Sequence, residues 1–258
     1  MTNTPKEWHR YETLRPGELA RVVAERPVAF WPLGLLEHHG WHLPVGFDGL
    51  KAERICTAVA GRTGGVVLPT MWWGGGGGHG KFHWTLYQDE TAARSVYETT
   101  VRGLLSFGFR VVVTLAGHYP WLSILNAALP AIRSAYPDAT ILAGTEMEIA
   151  DNLRLPGDHA ALEETSYGLA LLPELVDLEQ LRPHDARSDP PAWPPAGAPP
   201  PEDRHPAVDF DPTSPTFAQM GDPATRATAE RGSRHVAALV QALAARIDDA
   251  LARVVFAG

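Results

Sequence analysis

Cysteine is nearly absent. Cys56 is the only one in 258 residues, so no intrachain disulfide can form and nothing in the sequence points to an oxidising compartment. Cys56 lies among Leu50, Ile55 and Val59 at helical spacing, which reads as a small buried hydrophobe rather than a nucleophile. No apolar run approaches the roughly 18 residues that a membrane-spanning helix needs. Met1 to Arg10 is polar and has no signal-peptide core, so a cytoplasmic location is expected and a membrane partner is not. Positive charge is also in deficit. With 22 Lys and Arg against 30 Asp and Glu the net charge is −8, the wrong sign for a nucleic-acid surface. No strand is followed by GxGxxG, which removes a dinucleotide-binding site, and the glycine run Gly74 to Gly78 lacks the spacing of a P-loop.

What is present is a globular composition, with 45% apolar and 20% charged residues, on a chain long enough to bury a full core. Apolar runs of strand type at Val28 to Leu33, Val66 to Trp72, Phe109 to Leu115 and Thr140 to Ala143 alternate with helical patterns. Those patterns cover Phe47 to Val59, Ala92 to Phe107, Trp121 to Ala135 and His159 to Leu172. Such alternation predicts an α/β fold, a parallel sheet with helices on both faces. A long last helix carries Val236, Leu239, Val240, Leu243, Ile247, Leu251 and Val254. Residues 1–258 are read as one domain, interrupted at 183–206 by a Pro-rich stretch without periodicity, expected to be an irregular surface excursion.

Ligands bind at the carboxyl ends of strands in an open parallel sheet. Seven of the eleven histidines lie between His38 and His159, most of them just after a predicted strand. In extended chain Glu37 and His39 point one way and His38 the other. A carboxylate and an imidazole side by side form half a site for Zn²⁺ or Mn²⁺, and Asp48 can return to it from the start of the next helix. His118 follows a buried strand directly, which favours a ligand over a helix cap. Asp158-His159 through Glu163-Glu164 reads, taken alone, as an ordinary helix start with Asp158 as N-cap. Trp72, Trp73 and Trp84 read as packing residues.

In this order the motifs resemble the creatininase family. The resemblance rests on Pro32-Leu33-Gly34 leading to Glu37-x-His39-Gly40-x-His42-Leu43-Pro44 and Asp48; on His79-x-x-Phe82 with Thr85; on Gly117-His118; on His159-Ala160 with Glu164-Thr165-Ser166; and on Gly221-Asp222-Pro223 running to Gly232. It implies a three-layer α/β/α sandwich, a homo-oligomer (hexamer or related), and one or two divalent ions per subunit, Zn²⁺, Mn²⁺ or Fe²⁺. Asp48 would bridge the metals, Glu37 and His118 would hold one, and His39 the other. A water made acidic by the metals would attack a carbonyl, and His159 would protonate the leaving group. The implied activity is a metal-dependent hydrolase acting on a small cyclic or amide-like substrate, with C–N cleavage favoured. A C–C or ester-cleaving relative, or a non-catalytic binding protein on the same fold, are the alternatives.

Three positions depart from the family pattern. Ala116 stands where Asn is usual, Pro120 where the enzyme that gives the family its name has a Glu ligand, and Leu162 where many relatives have another Glu. A substitute carboxylate is therefore expected. Glu146 and Glu148, sharing a face at the end of the fourth strand, and Glu163 and Glu164 are the candidates. Glu146 is assigned to the metal, and Glu164 to the chemistry with His159 and Asp48.

Overall fold

Val28–Leu33 is buried at all six positions and forms the middle strand of the sheet. The computed structural model describes residues 6–76, 82–150, 152–181 and 200–255. Along these the order is β1 (Trp8–Arg10), α1 (Pro16–Glu25), β2 (Val28–Leu33), α2 (Phe47–Thr63), β3 (Gly65–Val67), α3 (Glu90–Ser106), β4 (Val111–Ala116), α4 (Trp121–Ala135), β5 (Thr140–Thr145), α5 (Leu162–Leu171) and α6 (Ala229–Val255). Among the described residues the sheet runs β1-β3-β2-β4-β5, every pairing parallel. Parallel strands need crossovers, and these helices supply them on both faces.

The pleat sorts the strand residues between two cores. Ala29, Trp31, Leu33, Val66, Val112 and Ala116 face α1, α3 and α4. Val28, Phe30, Val67, Val111, Val113 and Leu115 face α2 and α6. The result is the expected three-layer sandwich, and it explains why these strands read as unbroken apolar runs.

The sequence reading differs from the fold at four places. β1 and α1 were not expected. β1 is three residues long and carries no apolar run, and α1 is set up locally, with Pro16 at its first turn and the Glu18 carboxylate accepting from the Arg15 N–H at 2.7 Å. The strand expected over Val66 to Trp72 ends at Val67; the Leu68 N–H still donates to the Phe30 carbonyl at 2.8 Å, and pairing resumes as an isolated bridge between Met71 and Leu33. The helix expected from His159 begins at Leu162. His159 is instead bridged to Met220, and Ala160 has φ +49°, outside helical geometry. Of the Pro-rich stretch, only its end is described, with a short 3₁₀ turn at Pro201–Asp203; the remainder, like His79, lies outside the described residues.

Two backbone contacts bring the site together. A Cβ on Gly117, just beyond β4, would lie 2.0 Å from the Asp48 carbonyl oxygen, and one on Gly34, just beyond β2, 2.4 Å from Gly49 Cα. Glycine at both strand ends lets the first turn of α2 rest directly on the carboxyl edge of the sheet.

Candidate metal centre

Glu37 and His39 lie in the irregular segment that follows β2, and both turn inward. His38 goes the other way, stacking on Phe82 with ring centroids 5.3 Å apart and meeting Trp41 and Phe217 edge-on. Asp48 comes from the first turn of α2, His118 from the turn after β4, and Glu164 from the first turn of α5. All five are buried. Three groups bring possible ligand atoms within 4.8 Å of one another: Glu37, Asp48 and His118; His39, Asp48 and Glu164; and Glu37, His39 and His159. Asp48 is common to the first two.

Both imidazoles are held in one tautomer. Nδ1 of His39 donates to the Glu37 carbonyl at 3.0 Å, which directs Nε2 toward Asp48 Oδ1 at 3.1 Å and Glu164 Oε2 at 3.4 Å. Nε2 of His118 donates to the Gly76 carbonyl at 3.1 Å, which directs Nδ1 toward Glu37 Oε2 at 2.9 Å and Asp48 Oδ2 at 3.3 Å. A carbonyl can only accept, so the nitrogen facing the carboxylates is in each case the one that offers a lone pair to a cation once its proton is given up. This is how histidines that ligate metal are held. Tyr87 donates to Glu37 Oε1 at 3.3 Å.

The electrostatics follow from this packing of acids. Burial disfavours a charged imidazole at His39, but Asp48 and Glu164 outweigh it and hold the ring's pKa well above the usual histidine range. At His118 burial is likewise overcome, by Glu37 and Asp48, and the pKa rises to about 10. Burial would raise Asp48, yet His39 and His118 hold it well below the ordinary carboxylate range. The clustered acids thus favour positive charge on both histidines, and a divalent cation would supply the same charge. The donor set of imidazole nitrogen and carboxylate oxygen suits Zn²⁺ or Mn²⁺.

His159 differs from the other two. Its Nε2 donates to the His38 carbonyl at 3.0 Å and its ring centroid is 4.4 Å from that of His39. Burial, reinforced by the charge on His39, drops its pKa to about 3, so this ring is neutral. Asp158 lies outside the helix yet serves its first turn, accepting from the backbone N–H of Glu163 at 2.6 Å and Glu164 at 3.0 Å.

Glu146, the expected substitute ligand, stands in none of the three groups. Its Oε1 accepts from Lys51 Nζ at 2.8 Å and from the Tyr119 hydroxyl at 2.9 Å. Lys51 donates equally to Glu164 Oε1 at 2.8 Å. Burial pushes the Glu164 carboxyl up, but Lys51 and His39 more than offset that and hold it at about 2. Lys51 is fully buried and had no place in the sequence reading, although three residues after Asp48 is the same side of a helix. The carboxylates open onto a cavity of about 270 Å³, walled also by Tyr119, Pro120, His159, His205 and Met220. His205 and Met220 gave no signal in the sequence.

The creatininase family model, described as creatinine amidohydrolase, matches residues 12–247. A curated creatinine amidohydrolase of Pseudomonas putida is 29% identical over 206 residues, covering 71% of this chain and 76% of its own. A crystal structure of creatinine amidohydrolase (creatininase) superposes with TM-score 0.71 at 26% identity, over 95% of this chain and 98% of that one. A solved structure named creatininase Mn gives TM-score 0.71 at 25% identity, over 94% and 98%. Matched along nearly its whole length in sequence and in fold, the chain belongs to the creatininase family of metal-dependent hydrolases.

Proposed function

We propose that this hydrolase cleaves a C–N bond in a small cyclic or amide-like substrate at a two-metal centre. Glu37, Asp48 and His118 would hold one ion and His39, Asp48 and Glu164 the other. The reading rests on one observation above all: two buried imidazoles, each fixed by a backbone carbonyl, offer their remaining nitrogens to carboxylates that share Asp48. The Mn named with a solved relative and the mixed nitrogen and oxygen donors support Mn²⁺ or Zn²⁺.

When bound, the metals supply Lewis-acid polarisation of a carbonyl and make water acidic near neutral pH. The protein's own groups handle protons and position. Since Nε2 of His159 is committed to the His38 carbonyl, Nδ1 is its basic nitrogen. It takes the proton from the attacking water as the new C–O bond forms and returns it to the nitrogen as the C–N bond breaks. A cavity of about 270 Å³ suits a small molecule. Pro120 on its wall removes a carboxylate from beside the metals, which argues against creatinine itself.

The test is metal analysis of the purified protein, followed by amine release from a panel of lactams, cyclic ureas and formamides. Two equivalents per subunit with turnover of at least one amide, lost in Asp48→Asn, is the expected result. Turnover confined to esters or lactones would move the assignment to C–O cleavage, and metal uptake without turnover of either class would leave a binding protein. A homo-oligomer, hexameric or related, goes with this reading, and light scattering measures it directly.

A further inference from the structure

Lys51 carries no charge to solvent. It is fully buried one turn after Asp48 on α2, its Nζ 2.8 Å from both Glu146 Oε1 and Glu164 Oε1. The rings of Tyr119, Phe47 and Tyr167 surround it at 4.9, 5.5 and 5.7 Å. An ammonium beside a metal ligand would, by charge alone, repel a cation. Glu146 cancels that charge, and Tyr119 braces Glu146 from the other side at 2.9 Å. What remains is direction. Glu164 has its Oε1 tied to Lys51, while Oε2 accepts from the Ala160 N–H at 2.9 Å and faces His39 at 3.4 Å.

We propose that Lys51, neutralised by Glu146, is a positioning residue that fixes the Glu164 carboxylate so that Oε2 is presented to the His39–Asp48 group. This rests on the two-metal reading. It gives Glu146 a function as well, that of letting a cation stand beside a metal site without opposing it. Partners that orient metal ligands in this way are worth about 10–100-fold in metal affinity.

The experiment is a titration of the metal-free protein with Zn²⁺ against a chromophoric chelator. Glu164→Gln first identifies which equivalent depends on Glu164. The double variant Lys51→Met with Glu146→Gln removes the cation and its counter-charge together, so the site's net charge is unchanged. We expect it to weaken that same equivalent by about 10–100-fold and to leave the other at wild-type affinity. Wild-type affinity for both would show that Lys51 only balances Glu146, and would overturn the proposal while the metal reading stood. A wild type that takes up no Zn²⁺, matching Asp48→Asn, would overturn both. Circular dichroism melting establishes that the double variant folds. Should it not, Lys51→Arg keeps the charge and moves the donor: weakened binding supports positioning, and unchanged binding refutes it.

Discussion

Metal loading has to displace protons, and the amount follows from the geometry. Nδ1 of His118 lies between Glu37 and Asp48, and Nε2 of His39 between Asp48 and Glu164. His118 is raised to about 10, above neutral pH, and His39 is raised in the same direction by Asp48 and Glu164. Removing the His118 proton at pH 7 costs about 4 kcal/mol, at 1.36 kcal/mol for each pH unit below the pKa. Calorimetric titration with Zn²⁺ in two buffers of different ionisation enthalpy counts the protons. Two should leave as two ions bind, and affinity should rise roughly tenfold per pH unit for each proton displaced. The metal-free protein should respond to pH in the opposite sense. A histidine raised on folding stabilises fully below its unfolded pKa of about 6.5 and loses that contribution as pH climbs through the folded value. Chelator-treated protein should therefore weaken between pH 6.5 and about 10 in urea unfolding, while the loaded form, whose ligating histidines bind no extra proton folded or unfolded in that range, should stay level. Uptake of two ions at pH 7 with no proton release would refute the charge balance drawn here.

Three further outcomes follow. Asp48→Asn, which removes the carboxylate shared by two ligand groups, should hold neither ion after dialysis and cost the metal-free fold about 3–5 kcal/mol in urea unfolding. His159→Asn should keep both ions but lower turnover by about 10²–10⁴-fold, the range of a lost acid–base group; a variant that kept turnover would exclude the proton shuttle. Gly232→Ala would put a Cβ 2.0 Å from the Ser166 carbonyl where α6 crosses α5, and should destabilise the fold by about 1–3 kcal/mol in thermal melting with metal stoichiometry unchanged.

Much of this arrangement was legible in the residues. The alternation expected of extended chain separates Glu37 and His39 from His38, as found, although β2 itself ends at Leu33, and Asp48 is recognisable as an acid at a helix start. Glu146 and Glu164 could not be ranked from sequence. Their order depends on where α5 begins, and that is set by the positive φ of Ala160 and the pairing of His159 with Met220. Lys51 was hidden for a different reason. A lysine in a helix reads as a solvated group, and only the fold brings two acids and three rings around it. β1 is three residues long and offers no apolar run, whereas α1 is amphipathic, with Leu19, Val22 and Val23 toward the core, and its pattern was present in the sequence.

The two histidines are locked by the main-chain oxygens of Glu37 and Gly76, not by side chains. Point mutation cannot delete a carbonyl. Substitutions along the cavity wall can therefore alter which molecules enter while the tautomers of the centre persist, whereas a one-residue insertion or deletion near Gly76 would displace the His118 lock. For directed evolution, the wall at Pro120, His205 and Met220 is the place to randomise, and the length of the glycine loop is the quantity to leave alone.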